Sequence, residues 1–366
     1  MSKEINKDIY YMRRAIEIAQ MGKGKTSPNP MVGCIIVKNN TIIGEGYHQK
    51  AGEPHAEVIA LNSARENVAQ STIYITLEPC AHFGKTPPCV NRIIESHPQR
   101  VVIAMEDPNP LVAGKGIQAL KSAGIEIQVG VLEAKANKLN EVFVKYITTK
   151  TPYVIAKWAM TLDGKIATVS GDSKYISASD SLKFVHQLRA EVDAILVGGK
   201  TVAMDNPLLT IRHIEGDYKN PIRLILDTKK PLSDKLNIFK DKGSAHTWIV
   251  TTYNRDYPFA DKIIKLDPDE KKYVPLNKLM KELGKLEITS VLIEGGGETL
   301  SSAFSQQIVD KVYCFVCPMI FGAESFSHTS ANLVLCLYKN VLGPLTIPPH
   351  PGERLKRTHS SSPGFR

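Results

Sequence analysis

The sequence predicts an α/β protein of two domains, and three observations carry that reading. The chain has 366 residues, more than one hydrophobic core usually organises. Short apolar runs with strand character alternate with segments of helical period, the pattern of a largely parallel sheet covered on both faces. Near residue 150 a polar stretch, Thr148-Thr149-Lys150-Thr151, runs into Pro152 and a fresh apolar strand, as a linker does. Hydrophobic residues make up 43% and charged residues 23% of the chain, which places it among soluble globular proteins. The N-terminus lacks the apolar core of a signal peptide and no run reaches the ~18 residues of a membrane span, so the cytoplasm is expected. Six cysteines over this length do not make a disulfide framework, in keeping with a reducing compartment. A formal net charge of +9 suits nucleic acid, or a phosphorylated metabolite with a phosphate-bearing cofactor, and decides neither.

Taken in order, residues 8–21 place Ile9, Met12, Ile16 and Ala19 at helical spacing and stop at Gly22. The rigid loop Thr26-Ser27-Pro28-Asn29-Pro30 precedes a strand over 32–37, and Asn39-Asn40 turns it into a second strand over 41–47. Pro54 suits the first position of a helix, with His55 in its first turn. A strand over 72–76, a helix from Cys89, a strand over 100–104, a helix after Gly114-Lys115-Gly116, a strand over 125–129 and one helix over 132–146 complete the first half. Beyond Pro152, strands are expected over 153–157, 194–197, 222–226, 247–250, 291–293 and 312–316. Helices are expected near 181–191, with Ser179 as N-cap, and near 273–283.

Chemistry concentrates between His55 and Cys89. Pro54-His55-Ala56-Glu57 is followed by Glu78-Pro79-Cys80 and, nine positions beyond Cys80, Cys89. One imidazole and two thiols are the three protein ligands of a catalytic zinc, which keeps its fourth position for water. Zinc brings the pKa of such water to about 7, and a carboxylate beside it carries protons, the part that falls to Glu57. Two residues turn a regular helix by roughly 200°, so Glu57 does not share the metal with His55; it reaches a bound water where the helix start is splayed or the metal sits off its end. A thiol at a helix start, as at Cys89, is favoured as thiolate. Taken singly, His55 reads as a capping or core histidine and each cysteine as a small apolar residue. The three together, with Glu57, favour metal.

The His-x-Glu and Pro-Cys pattern resembles the zinc nucleoside and nucleobase deaminases. Their Pro-Cys-x-x-Cys is here a longer loop, Glu78-Pro79-Cys80-Ala81-His82-Phe83-Gly84-Lys85-Thr86-Pro87-Pro88-Cys89, and in that form it is similar to the deaminase half of the RibD family of bifunctional riboflavin-biosynthesis deaminase/reductases. The resemblance implies a three-layer, cytidine-deaminase-like α/β domain over residues 1–147 and sets His82 behind the ligands, with ligation by His82 left open. It also implies that Asn29, His48, Lys85, Thr86, Asp107 and Asn109 hold a pyrimidine and its ribose phosphate. Read from the residues alone, Asn29 between two prolines and Asp107-Pro108-Asn109-Pro110 are equally turn formers.

In the second half, Val291-Leu292-Ile293-Glu294-Gly295-Gly296-Gly297-Glu298-Thr299 runs a strand through glycines into a helix, where backbone amides can cradle phosphate. A glycine turn of this kind is often only a turn. Lys157 to Ala167, Gly171 to Ile176 and Gly199 to Arg212 look like the reductase half of the same family, whose fold resembles dihydrofolate reductase. The likeness implies such an α/β domain over 152–322. It implies an NADPH site at Ala159, Tyr175, Thr201, Asp205, Thr228, Gly295, Gly296, Gly297, Glu298 and Thr299. Ser173, Arg189, Leu209, Arg212 and Glu294 would hold the ribosyl substrate, and two arginines suit a phosphate dianion. Lys229 and Lys230 read as a solvated turn, and Cys314 and Cys317, three apart in a strand, as two core cysteines on opposite faces.

Past Gly322 the likeness stops. Residues 331–342 are apolar, and the following stretch to Arg366 is rich in Pro, Ser and basic residues, so 323–366 reads as a divergent tail. Loss of the family's returning strands there would leave the sheet with an unpaired edge and the second domain with an incomplete core. The function expected is zinc-dependent deamination of a phosphorylated pyrimidine followed by NADPH-dependent reduction, in a self-associating enzyme without nucleic-acid or membrane partners. A nucleic-acid-editing deaminase and a deaminase with an inactive second domain are the rivals.

Overall fold

The computed structural model describes residues 2–81, 88–110, 112–166, 179–227, 230–241, 243–318, 320 and 333–338. The first domain runs α1 (Ser2–Ala19), β1 (Gly33–Lys38), β2 (Thr41–Tyr47), α2 (Ala56–Asn62), β3 (Thr72–Ile75), α3 (Cys89–Glu95), β4 (Arg100–Ile103), α4 (Lys115–Ser122), β5 (Glu126–Val129), α5 (Glu133–Leu139) and α6 (Glu141–Thr149). Its sheet has the order β2-β1-β3-β4-β5. Asn39 and Asn40 both take the left-handed conformation, φ 48° and 62°, which returns β2 directly alongside β1. The sheet is mixed rather than largely parallel: β1 is antiparallel to both of its neighbours, β2 and β3, while β3, β4 and β5 pair in parallel. A tight hairpin reverses β1 into β2, whereas the connections through α2, α3 and α4 keep β2, β3, β4 and β5 in one direction.

Helices cover both faces, and the register shows how. Gly33 and Cys34 are successive residues of β1 and so face opposite sides. A side chain at Gly33 would collide with the Ala15 carbonyl of α1 at 2.0 Å. Cys34 pairs with Gly46 of β2, where a side chain would meet the Ala56 carbonyl and Ala60 amide of α2, both at 2.4 Å. Glycine at 33 and 46 thus lets α1 and α2 lie directly on the two faces, and α2 holds the site against β2.

The single helix expected over 132–146 breaks at Asn140. Its side chain accepts from the Met31 amide (2.8 Å) and donates to the Met31 carbonyl (3.0 Å), a bond pair that a continuous helix would not present to that loop. The freed α6 bridges the domains. Phe143 and Val144 pack on the first core and Val142 on the second, while Lys145 pairs with Asp310 and Glu141 with Lys311.

The second domain comprises β6 (Tyr153–Thr161), α7 (Ser179–Ala190), β7 (Ala194–Gly198), α8 (Gly199–Asp205), β8 (Ile222–Leu226), α9 (Asn237–Lys240), β9 (Thr247–Thr251), β10 (Lys262–Lys265), α10 (Leu276–Lys285), β11 (Ser290–Glu294), α11 (Gly297–Ser305), β12 (Lys311–Cys317) and β13 (Leu333–Tyr338). Ser179 lies inside α7 rather than capping it. Strand order is β10-β9-β8-β7-β11-β6-β12-β13, parallel throughout except for β12 with β13. From β7 the chain passes through α8 to β8 on one side; from β11 it passes through α11 to β12 on the other. Such a reversal between adjacent parallel strands opens a crevice at their carboxyl ends, where open α/β sheets bind ligands.

Contrary to the expectation of missing returning strands, a strand follows Gly322 and pairs with β12. β13 lies beyond Gly322 and runs antiparallel along β12 from Lys311 opposite Tyr338 to Val316 opposite Leu333, because the apolar stretch after Ala331 supplies a strand. Cys314 and Cys317 are both buried in β12. Among the described residues, no helix is long and apolar enough to cross a membrane.

Candidate active site

The helix expected to start at Pro54 starts at Ala56, and His55 is its N-cap with extended backbone, φ −73° and ψ 162°. This resolves the angular conflict between His55 and Glu57, since only Glu57 lies within the helical twist. Cys80 follows β3, and Cys89 is the first residue of α3. His55 Nδ1 is 3.1 Å from Cys89 Sγ and 3.6 Å from Cys80 Sγ, and the Cys89 amide donates to Cys80 Sγ at 3.2 Å. The three ligand atoms all lie within 4.8 Å of one another, and among the described residues no second group of three such ligands occurs. A hydrogen bond from the Cys89 thiol is the main cause that pushes Cys80 down to about 4, and the His55 imidazole and the Cys89 amide add to it, leaving the thiolate that binds metal. That thiol bond and burial push Cys89 up. An imidazole and two sulfurs at this separation fit zinc with one position left open.

Glu57 is 3% exposed. Burial pushes its carboxyl up to about 7, against its own backbone amide and the His55 imidazole, which favour the charged form. A carboxyl near neutrality both gives and takes a proton at the pH of the cell.

Around this centre Asn29 and His48 are brought together. Asn29 Nδ2 lies 3.1 Å from His48 Nε2, and His48 Nδ1 lies 3.2 Å from the Pro54 carbonyl. These partners fix the tautomer with the proton on Nδ1. The His48 ring stands edge-on to that of His55, centroids 5.5 Å apart, so both of its nitrogens are used in holding Asn29 and the residue before His55. Asp107 Oδ1 accepts from the Asn109 amide at 2.8 Å in the turn the sequence suggested. Lys85, Thr86 and His82 lie outside the described residues, as do Ser173, Tyr175, Thr228 and Lys229. Glu78 was missed as a site residue: it is buried and accepts four backbone amides. The Gly-Lys-Gly helix start downstream was its sequence signal.

In the second domain, Thr201 and residues 295–299 meet at the crevice between β7 and β11. The Gly296 amide donates to Thr201 Oγ1 at 3.3 Å. A side chain at Gly296 would meet Thr201 Oγ1 at 3.1 Å, and one at Gly198 would meet Thr299 Oγ1 at 2.9 Å. Only glycine leaves this cradle open, and it fits a dinucleotide phosphate at the start of α11. Glu298 is exposed and 3.7 Å from Lys200, Asp205 ends α8, and Ala159 sits in β6 opposite Phe315.

Arg189 and Glu294, two separate substrate contacts in the sequence reading, are joined to each other. Arg189 Nε and Nη2 donate to the two Glu294 oxygens at 2.7 and 3.0 Å, and Nη1 donates to the Thr210 carbonyl at 3.0 Å. Burial would raise the Glu294 carboxyl, but the Arg189 charge and bonds hold it below its ordinary value. Lys157, not singled out beforehand, lies opposite Glu294 across β6 and β11, its ammonium 5.4 Å from the centre of the Phe315 ring; burial lowers its pKa. Leu209 is buried with φ 54°, and Arg212 is exposed while its amide donates to His186 Nδ1 at 2.9 Å.

Burial first, and then the charges of Arg189 and other neighbours, push His186 down to about 4. Unfolded, the same imidazole titrates near its ordinary 6.5, so between these values the unfolded chain binds more protons. Stability contributed by neutral His186 is therefore complete above about pH 6.5 and is lost as pH falls toward 4. Denaturant unfolding of the second domain between pH 7 and 4.5 is expected to show this slope, and His186→Asn to flatten it; equal slopes in the two proteins would contradict the assignment.

These features define a fused enzyme, in which a zinc-dependent deaminase domain is followed by an NADPH-dependent reductase. Residues 5–105 match the cytidine and deoxycytidylate deaminase zinc-binding region, and residues 152–336 match the RibD C-terminal domain. The riboflavin biosynthesis protein RibD of Aquifex aeolicus is 45% identical over 324 residues, 88% of this chain and 89% of that protein; that of Escherichia coli K12 is 39% identical, covering 87% and 89%. Among solved structures, Acinetobacter baumannii RibD superposes with a TM-score of 0.79 at 39% identity, covering 90% of this chain and 92% of that one. The Thermotoga maritima diaminohydroxyphosphoribosylaminopyrimidine deaminase/5-amino-6-(5-phosphoribosylamino)uracil reductase gives 0.80 at 39% identity, covering 94% of each. The chain belongs to the RibD family and is a bifunctional deaminase and reductase of riboflavin biosynthesis. Its likeness continues through the second domain, which a nucleic-acid-editing deaminase does not predict.

Proposed function

We propose that the first domain hydrolyses the exocyclic amine of 2,5-diamino-6-ribosylamino-4(3H)-pyrimidinone 5′-phosphate and that the second reduces the ribosyl group of the product to ribityl. The observation that carries the first step is the convergence of His55, Cys80 and Cys89 beside buried Glu57. Zinc, when held by those three residues, supplies a Lewis acid that makes water nucleophilic at neutral pH. Glu57 takes the proton from the attacking water and delivers it to the ring nitrogen, then carries a second proton from the added hydroxyl to the amine, so that the C–N bond breaks, ammonia leaves and the ring carbonyl forms. Asn29, held by His48, with Lys85, Thr86, Asp107 and Asn109, orients the pyrimidine and its phosphate.

In the second domain, Thr201 and residues 295–299 line the cofactor crevice, and Ala159, Tyr175, Asp205 and Thr228 take part in NADPH binding. NADPH, when bound there, supplies the hydride. Ser173, Leu209 and Arg212 hold the ribosyl phosphate, and the Arg189–Glu294 pair shapes the floor beneath it. Residues 1–147 form the deaminase unit and the reductase unit begins at 152; the pairing of β13 supports counting 333–338 with the latter. The same reading takes the enzyme as cytoplasmic and self-associating, and light scattering that gave a monomer at assay concentration would overturn the second point.

The test follows ammonia release and NADPH absorbance separately. A zinc chelator is expected to abolish ammonia release from the diaminopyrimidine while NADPH oxidation with the deaminated substrate continues. Chelator-resistant ammonia release would refute the reading.

A further inference from the structure

Glu78 is a buried carboxylate whose partners are all main chain. Its Oε2 accepts from the amides of Asp107 (3.1 Å) and Gly114 (3.0 Å), and its Oε1 from those of Gly116 (2.8 Å) and Ile117 (3.1 Å). It is 3% exposed, and no cation pairs with it among the described residues. Four donors fill the four lone-pair directions of a carboxylate, and two of them come from the first turns of α4, where negative charge is favoured. The approach is close: a side chain at Gly116 would meet the Pro79 carbonyl at 2.1 Å.

Glu78 stands two residues before Cys80, so these bonds tie the loop that carries the metal ligand to the segment from Asp107 to Ile117. Inside that segment the order is relayed onward. Asp107 Oδ1 accepts from the Asn109 amide at 2.8 Å, and the Asn109 carbonyl accepts from the Val112 and Ala113 amides, both at 2.9 Å. Replacing the carboxylate with an amide would turn an N–H group toward two of the four backbone donors.

We propose that Glu78 is a positioning residue of the deaminase, whose carboxylate sets the Asp107–Asn109 turn in register with Cys80 so that the pyrimidine ring meets the metal centre correctly. This rests on the reading that Asp107 and Asn109 touch the substrate. It concerns geometry rather than metal affinity, so it separates KM from kcat.

The experiment uses the full-length protein loaded with zinc, and with cobalt for spectroscopy. Glu78→Gln is expected to raise the deaminase KM about tenfold or more, with kcat within about threefold and the cobalt absorption bands unmoved. Glu78→Asp, which keeps the charge but shortens the reach, is expected to fall between, and must show the KM rise by itself if Glu78→Gln does not fold. Asn109→Ala is the control. A raised KM in Asn109→Ala with an unchanged KM in the Glu78 variants would overturn the inference alone. Unchanged KM in Asn109→Ala and Asp107→Asn would overturn the substrate reading of the turn and the inference with it. Shifted cobalt bands with a normal KM would assign Glu78 to the metal and likewise overturn it.

Discussion

Glu57→Gln is expected to lower the kcat for ammonia release by about 10²–10⁴-fold, the usual contribution of a general acid–base group. The side chain keeps its size and its place in the second helical position of α2, where a buried residue is already required. What it loses is the ability to exchange a proton near neutral pH. Zinc content should therefore match that of the unaltered protein, and NADPH oxidation with the deaminated substrate should continue at its ordinary rate. Loss of zinc in this variant would mean that Glu57 is a ligand; retention of ammonia release would mean that the proton moves by another group.

The second large effect is structural. Arg189 and Glu294 have side chains 11% and 10% exposed, and each satisfies the other through two bonds. Arg189→Leu leaves the carboxylate of Glu294 buried without its partner, a change that typically costs about 3–5 kcal/mol. The unfolding midpoint of the second domain should fall accordingly and NADPH oxidation should be lost. Ammonia release measured below that transition should persist. Since the pair's desolvation cost nearly offsets its attraction, Arg189→Met combined with Glu294→Met should regain much of the stability but not the reductase activity. Equal stability in Arg189→Leu and the unaltered protein would show that the pair is exposed to water in solution.

The sequence made the zinc ligands legible because metal chemistry restricts residue type so sharply that one histidine and two cysteines stand out whatever the local fold. It did not show that His55 caps its helix rather than entering it, since Pro54 is compatible with either position, and that single residue decides whether Glu57 reaches the same pocket. The alternation of strands and helices gave the α/β class, but pairing direction is non-local: nothing in residues 33–38 states that β1 runs antiparallel to β3. Asn140 broke a helix that periodicity alone would continue, because its side chain was recruited by Met31, far away in the chain. Glu78 and the Arg189–Glu294 pair were hidden for a similar reason. A buried carboxylate reads in sequence like any surface acid until its donors are placed around it. The strand after Ala331 was visible as an apolar run, but its role as partner to β12 emerged only from the sheet.

Zinc K-edge X-ray absorption on the purified protein tests the central assignment most directly. One zinc per chain is predicted, with one nitrogen ligand at about 2.0–2.1 Å and two sulfurs at about 2.3 Å, and the sulfur scattering should fall by half in Cys80→Ser. A chain that holds no stoichiometric zinc, or a zinc coordinated without two sulfurs, would contradict it.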